Sequence, residues 1–209
     1  MTIVLGETTY PVTIFYRAKK RIILRFKDGQ FIVSMPKRTS PTWLRSQLQI
    51  HGEKLIKKVT SIPAPFNEKG IYFYGEWITL TTLAHQLRID GPIPFAYQEK
   101  HWQPLKHQFN KALNQRVQLW QKRLNILTHY QVRVRHMTTR LGSNSRKTKR
   151  LTFAFKLVHF AWPIIDAVIV HELIHDRHFD HSPKFYQALN AAYPAYHQEH
   201  GKILKGQYQ

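Results

Sequence analysis

His171, Glu172 and His175 form an H-E-x-x-H run, and His181 follows six residues after the second histidine. This run constrains the fold of the 209-residue chain more than any other feature, because its residues cooperate only on a helix. An α-helix advances about 100° per residue, so positions i and i+4 differ by about 40° and both imidazoles leave one face toward a single ion. Glu172, one step round, can reach a water on that ion without becoming a ligand, which is the geometry of a general base. Upstream, Pro163 suits a first helical turn, and Ile164, Ile165, Val168, Ile169 and Leu173 give an inward apolar face. A buried helix with both histidines near its end is the first structural expectation.

Ligand count separates the kinds of metal site. A hydrolytic zinc site keeps about three protein ligands and leaves the fourth position to water, whereas a structural site is closed by about four. The chain has no cysteine, which excludes a Cys-rich finger. The candidates for a third ligand are His178, Asp180, His181 and Glu199. His181 leads, since it falls at the spacing of H-E-x-x-H-x-x-G-x-x-H, where a turn after the helix swings a third imidazole back to the metal. His178 stands where that pattern has Gly, and a left-handed turn is costly for a residue with a Cβ, which argues against a true metzincin. Glu199, 24 residues past His175, remains the rival. The expectation is one Zn2+ per chain on His171, His175 and His181, with Glu172 as the catalytic base. Asp166, Asp176 and Asp180 are carboxylates able to orient an imidazole, and Arg140 and Tyr186 are candidates for stabilising an oxyanion or holding substrate.

Around this core the chain reads as α+β. Residues 11–35 hold short β-prone runs with a hairpin-type turn at Asp28-Gly29, which predicts a small antiparallel sheet. Ser40-Pro41 opens a helix over about 41–59 with Trp43, Leu44, Leu48 and Leu55 as apolar contacts, closed by Pro63 and Pro65. Strands are expected at 71–74 and 77–83, and Gly91, Pro92 and Pro94 mark a lobe break. A long helix over about 101–129 presents Leu105, Phe109, Leu113, Val117, Leu119, Trp120, Leu124 and Leu127. Strands at 132–137 and 151–155 flank a polar loop, GSNSRKTK, and the second of them is expected to offer a free edge to a substrate peptide. Ser182 and Pro183 start a further helix to about Ala192 whose Phe185, Leu189 and Tyr193 pack beneath the site. The order predicts an N-terminal antiparallel β-rich lobe with one helix over 1–100 and a zincin-like catalytic lobe carrying the HExxH helix over 101–209.

The stretch from Val132 to Tyr193 contains Thr139-Arg140-Leu141-Gly142-Ser143, the helix VIVHELIH, and His181-Ser182-Pro183 followed by Phe185. With the basic β-rich opening and Phe73-Tyr74-Gly75-Glu76, it resembles the YgjP-like, SprT-related group of predicted metallopeptidases over nearly the whole chain. The resemblance implies that His171, His175 and His181 bind metal and that Glu172 is the base. The chain departs from the group at Leu141 and Asn144, where Arg-Trp-Gly-Ser-Cys is common, and that change bears on the adjoining pocket rather than on the ligands. The resemblance also leaves a nucleotide (UTP-type) pyrophosphatase open as a competing activity.

Charge adds a second constraint. Lys plus Arg number 32 against 12 Asp plus Glu, a formal excess of +20. Between Glu99 and Asp166 lie 66 residues with no carboxylate side chain and 14 Lys or Arg, among them Arg133, Arg135, Arg146, Lys147, Lys149 and Arg150. Clustered cations are rewarded by counterion release on phosphates, so nucleic-acid or other polyanion contact is one reading and a solvated basic surface is the other. The N-terminus has no basic start followed by a long apolar run, and no window approaches a membrane span, so a cytoplasmic protein with no membrane partner is expected. The functional expectation is a zinc metallopeptidase acting on peptides or proteins, including nucleic-acid-associated ones. A basic nucleic-acid-binding protein with a structural metal is a further alternative.

Overall fold

A computed structural model describes residues 1–18, 21–60, 63–89, 102–137 and 139–209, with side chains in the first helix as far as residue 57. Lys19, Lys20 and the expected lobe break at Gly91, Pro92 and Pro94 lie outside the described residues. The chain is mixed α+β and divides into two compact units, Met1–Pro63 and Ala64–Gln209. The sequence reading placed its division near residue 100. In the structure residues 70–87 belong with the second unit, because Ile71, Phe73, Leu83 and Ala84 enter its core.

The first unit is a four-stranded sheet with one helix. Its strands are β1 (Thr2–Leu5), β2 (Thr8–Tyr16), β3 (Ile23–Lys27) and β4 (Gln30–Met35), in the order β1-β2-β4-β3, and α1 spans Pro41–Thr60. Strand β4 buries Phe31, Val33 and Met35 at period two, against Val12 on β2 and Leu44 and Leu48 on α1. Asp28 and Gly29 both have positive φ, as a two-residue type I′ hairpin between β3 and β4 requires. The expected antiparallel sheet is corrected in one respect: β2 and β4 pair in parallel, because β3 takes the outer edge instead of lying between them. Trp43, expected as an apolar contact, is 43% exposed.

The second unit opens with the hairpin β5 (Gly70–Phe73) and β6 (Glu76–Thr79). The strand expected over 77–83 stops at Thr79, whose hydroxyl accepts from the Thr82 N–H at 3.0 Å and caps helix α2 (Leu80–Leu87). Helix α3 covers Gln103–Arg123, shorter than expected. Asn125 beyond it is left-handed, with φ 51°, and Leu127 is 98% exposed rather than on an apolar face. The sheet β7 (Gln131–Arg135), β8 (Gly142–Ser145) and β9 (Arg150–Ala154) follows, in the order β7-β9-β8. After a 3-10 turn at Phe155–His159 come α4 (Trp162–Ile174), α5 (Pro183–Ala192) and α6 (Tyr196–Lys205). Helix α4 is apolar nearly all round and buried accordingly, with Ile164, Ile165, Ala167, Ile169, Val170 and Leu173 fully enclosed. Among the described residues no helix is long and apolar enough to cross a membrane.

The approach to α4 is fixed by the β5–β6 turn. Tyr74 and Gly75 have positive φ, and their N–H groups donate to the carbonyls of Val158 and His159. A Cβ on Gly75 would lie 2.7 Å from that of Ala161, so only glycine lets the turn sit against the start of α4. His159 is buried and its Nδ1–H donates to the Tyr72 carbonyl at 2.9 Å. Burial pushes this imidazole down to about 4. Its folded value lies below the unfolded value of about 6.5, so its contribution is complete above that pH and is lost as pH falls toward 4, where the unfolded chain takes up a proton the buried ring refuses. Unfolding at about pH 7 and about pH 4.5 should show an acid-induced loss in the parent chain larger by roughly 2 kcal/mol than in His159→Gln. Equal acid losses would remove His159 from the account.

Candidate metal centre

Two elements bring the three histidines together. His171 lies in the last turn of α4, His175 is its C-terminal cap, and His181 follows a turn that leads into α5. In that turn the N–H groups of Asp176, Arg177 and His178 donate back to the carbonyls of Leu173 and Ile174. His178 is not among the residues with positive φ, so the chain turns here without the left-handed residue for which glycine would be needed. His178 contributes through its backbone instead: its carbonyl accepts the His175 Nδ1–H at 2.9 Å. One ring nitrogen from each of His171, His175 and His181 lies within 4.8 Å of the others, and the Nε2 atoms of His171 and His181 are 3.1 Å apart.

The donor set fits a metal. His171 Nδ1 is 3.0 Å from the hydroxyl of buried Tyr196 on α6, so the δ nitrogens of both helical ligands are engaged away from the cluster and their ε nitrogens are left for an ion. Phe185 on α5 packs against all three rings, with centroids 5.0, 4.6 and 4.9 Å from those of His171, His175 and His181. Burial, reinforced by the neighbouring imidazoles, pushes His171 down to about 3, and burial lowers His175 as well. Both are thus held as neutral imidazoles, the form that ligates.

Glu172 is nearly buried at 6% exposure and lies against β8. Burial pushes its carboxyl up to about 8, while the charge of Arg140 and the Asn144 backbone N–H pull it down. The side chain rests directly on Gly142, where a Cβ would come 2.6 Å from Glu172 Oε1 and 2.7 Å from its Cγ. Gly142→Ala therefore pushes the carboxylate off its seat. Turnover should fall about 10- to 100-fold with metal content unchanged, since sub-ångström placement of a base governs its rate. Unaltered kinetics in that variant would mean the carboxylate works from another position.

Asn144 ties the same helix end to the sheet. Its Nδ2 donates to the Glu172 carbonyl at 2.8 Å and to the Tyr130 hydroxyl at 3.1 Å, and Tyr130 donates to Asp176 Oδ1 at 2.7 Å. A cysteine in place of Asn144 has no such pair of amide donors.

The other sequence candidates separate. Asp166 makes a two-pronged ion pair with Arg116, at 2.7 and 2.6 Å, and Asp176 receives the Tyr130 hydroxyl, so neither serves an imidazole. The Ser182 hydroxyl, and after it the Ser182 N–H that Asp180 also accepts, hold the Asp180 carboxyl low. Glu199 is buried beside Lys202 Nζ, 3.1 Å away, and is not one of the three clustered residues. Tyr186 is 38% exposed with its ring 6.2 Å from that of His181, and Arg140 is exposed near Glu172. Arg133 and Arg135 lie on β7, Arg150 on β9, and Lys147 and Lys149 in the turn between β8 and β9. Arg146 stacks over Phe179, 3.2 Å from the ring centre. The free edge expected at 151–155 is corrected: β9 is paired on both sides, and among the described residues the strand beside Glu172 with one edge unpaired is β8. Tyr196 and Tyr130 carry no signal in the sequence that ties them to the histidines, while Gly142 and Asn144 enter it only through the resemblance, without the contacts they make with Glu172.

The family model for the YgjP-like metallopeptidase domain matches residues 20–207. No curated protein matches the chain. Among solved structures, the zymogen of the metallopeptidase jannalysin from Methanocaldococcus jannaschii is similar with a TM-score of 0.41 and 26% identity, covering 44% of this chain and 94% of that one. The abylysin zymogen from Pyrococcus abyssi gives a TM-score of 0.41 and 17% identity, covering 44% and 91%.

Proposed function

The chain belongs to the YgjP-like metallopeptidase family, and we propose that it is a zinc peptidase whose zincin-like site uses Glu172 as the base. The observation that carries the reading is the convergence of three imidazoles, two with their δ nitrogens already engaged, beside a carboxylate seated on a strand edge. His171, His175 and His181 would hold one Zn2+, which when bound polarises the scissile carbonyl and makes water a stronger acid. Glu172 takes a proton from the attacking water as the new carbon–oxygen bond forms. It returns that proton to the leaving nitrogen as the carbon–nitrogen bond breaks, which frees an amine and a carboxyl group. Arg140, whose charge acts on Glu172, and Tyr186, whose ring lies 6.2 Å from that of His181, are assigned to the developing oxyanion.

The peptide is assigned to the free edge of β8, where main-chain hydrogen bonds would align it alongside Glu172. Proteins associated with nucleic acid are the substrate class that the acid-free middle of the chain favours. A turnover screen of the zinc-loaded chain on casein, a peptide library and UTP tests the reading. Cleavage of peptides that stops on chelation is expected. Hydrolysis of UTP with peptides untouched would overturn it in favour of a pyrophosphatase.

A further inference from the structure

The register of the β7-β9-β8 sheet sorts its residues into two chemically different faces. Val132, Val134, Leu151 and Phe153 are buried in the core. Gln131, Arg133 and Arg135 on β7, Arg150 and Thr152 on β9, and Ser143 and Ser145 on β8 share the opposite face, since Gln131 pairs with Arg150, Arg133 with Thr152, Thr152 with Ser143, and Arg150 with Ser145. Every one of these seven side chains is a cation, a hydroxyl or an amide, and the remaining strand residue of that face, Ala154 opposite Arg135, is fully buried. The turn joining β8 to β9 adds exposed Lys147 and Lys149 at one end. Among the described residues none of these five cations pairs with a carboxylate, and Arg150 Nε donates only to Gln131 Oε1, at 3.3 Å. Arg146 does not join them, because its guanidinium is stacked on Phe179.

We propose that this face, with Arg133, Arg135, Arg150, Lys147 and Lys149, docks the phosphodiester backbone of double-stranded nucleic acid. The inference deepens the substrate class proposed above and leaves the chemistry of the metal centre aside. Charge complementarity selects a polyanion: five cations with no local carboxylate, in a chain of net charge +20, favour release of phosphate counterions. The hydroxyls of Ser143, Ser145 and Thr152 and the amide of Gln131 are the neutral groups that commonly contact phosphate oxygens. The same face selects a duplex over a single strand. No Phe, Tyr or Trp is among its residues, and bases of a single strand are held mainly by stacking on aromatic rings. Its one apolar strand residue, Ala154, is small and buried, so the face offers none of the large exposed apolar side chains with which a peripheral protein enters a bilayer.

Fluorescence anisotropy of the full chain with a labelled DNA duplex, its single strand, and phosphatidylglycerol vesicles tests the proposal across a salt series. Duplex binding should be the tightest of the three, with a log–log salt slope of about −4.5, as five neutralised phosphates require. The triple variant Arg133→Gln/Arg135→Gln/Arg150→Gln should bind the duplex at least about tenfold more weakly and lower the slope by about 3. Arg25→Gln/Lys37→Gln/Arg38→Gln removes the same charge from exposed positions of the other unit and should leave the slope in place. A melting curve of each variant separates lost contacts from lost folding. Equal weakening by both triples, or preference for single strand or vesicles, overturns the proposal. Because binding is read without turnover, a chain that binds duplex but cleaves no peptide fails only the peptidase reading, and the reverse fails only this one.

Discussion

Glu172→Gln should retain stoichiometric zinc and lose turnover by about 10³-fold, within the range removed with a general base. The substitution keeps the shape of the side chain, so the seat on Gly142 stays filled and the Asn144 N–H still meets an oxygen acceptor. What disappears is the capacity to take a proton. The three imidazoles are untouched, and the hydrogen bonds from His171 to Tyr196 and from His175 to the His178 carbonyl do not involve the Glu172 side chain. Metal analysis and peptide turnover on the same preparation separate the two roles. Full activity in the glutamine variant would exclude Glu172 as the base, and loss of zinc would make it a ligand.

The second large effect distinguishes the two candidate third ligands. His181→Ala should weaken zinc binding on the order of 10²- to 10³-fold, because about 10–16 kcal/mol spread over about four ligands is a few kcal/mol each. Glu199→Gln should leave zinc content as it is, since its carboxylate sits beside Lys202 outside the histidine cluster. Competition against a zinc chelator measures both. If Glu199→Gln releases the metal and His181→Ala retains it, the ligand set is wrong.

The histidine pair was legible because its spacing is local: residues four apart on a helix must meet, and Pro163 and the apolar run gave that helix its start and its burial. The supports of the pair were not legible. Tyr196 lies 25 positions beyond His171, and no periodic signal links the two. Strand β8 reads as a polar loop because Gly142, Ser143, Asn144 and Ser145 include no β-branched or aromatic residue. Its strand character comes from pairing with β9 and from the close approach of Glu172 to Gly142. The misplaced substrate edge follows from the same gap, since without β8 the strand at 150–154 looks unpaired. In the first unit the hairpin at Asp28-Gly29 was readable from two residues, but the parallel pairing of β2 with β4 depends on which side β3 takes, a choice no local pattern encodes. The end of α3 was overrun because Leu124 and Leu127 continue the apolar spacing past a left-handed Asn125.

X-ray absorption at the zinc edge of the loaded chain tests the central claim most directly. The account predicts three imidazole nitrogens at about 2.0–2.1 Å and one light atom from solvent completing the shell. A shell of oxygens alone, or one closed by four protein ligands, would contradict it.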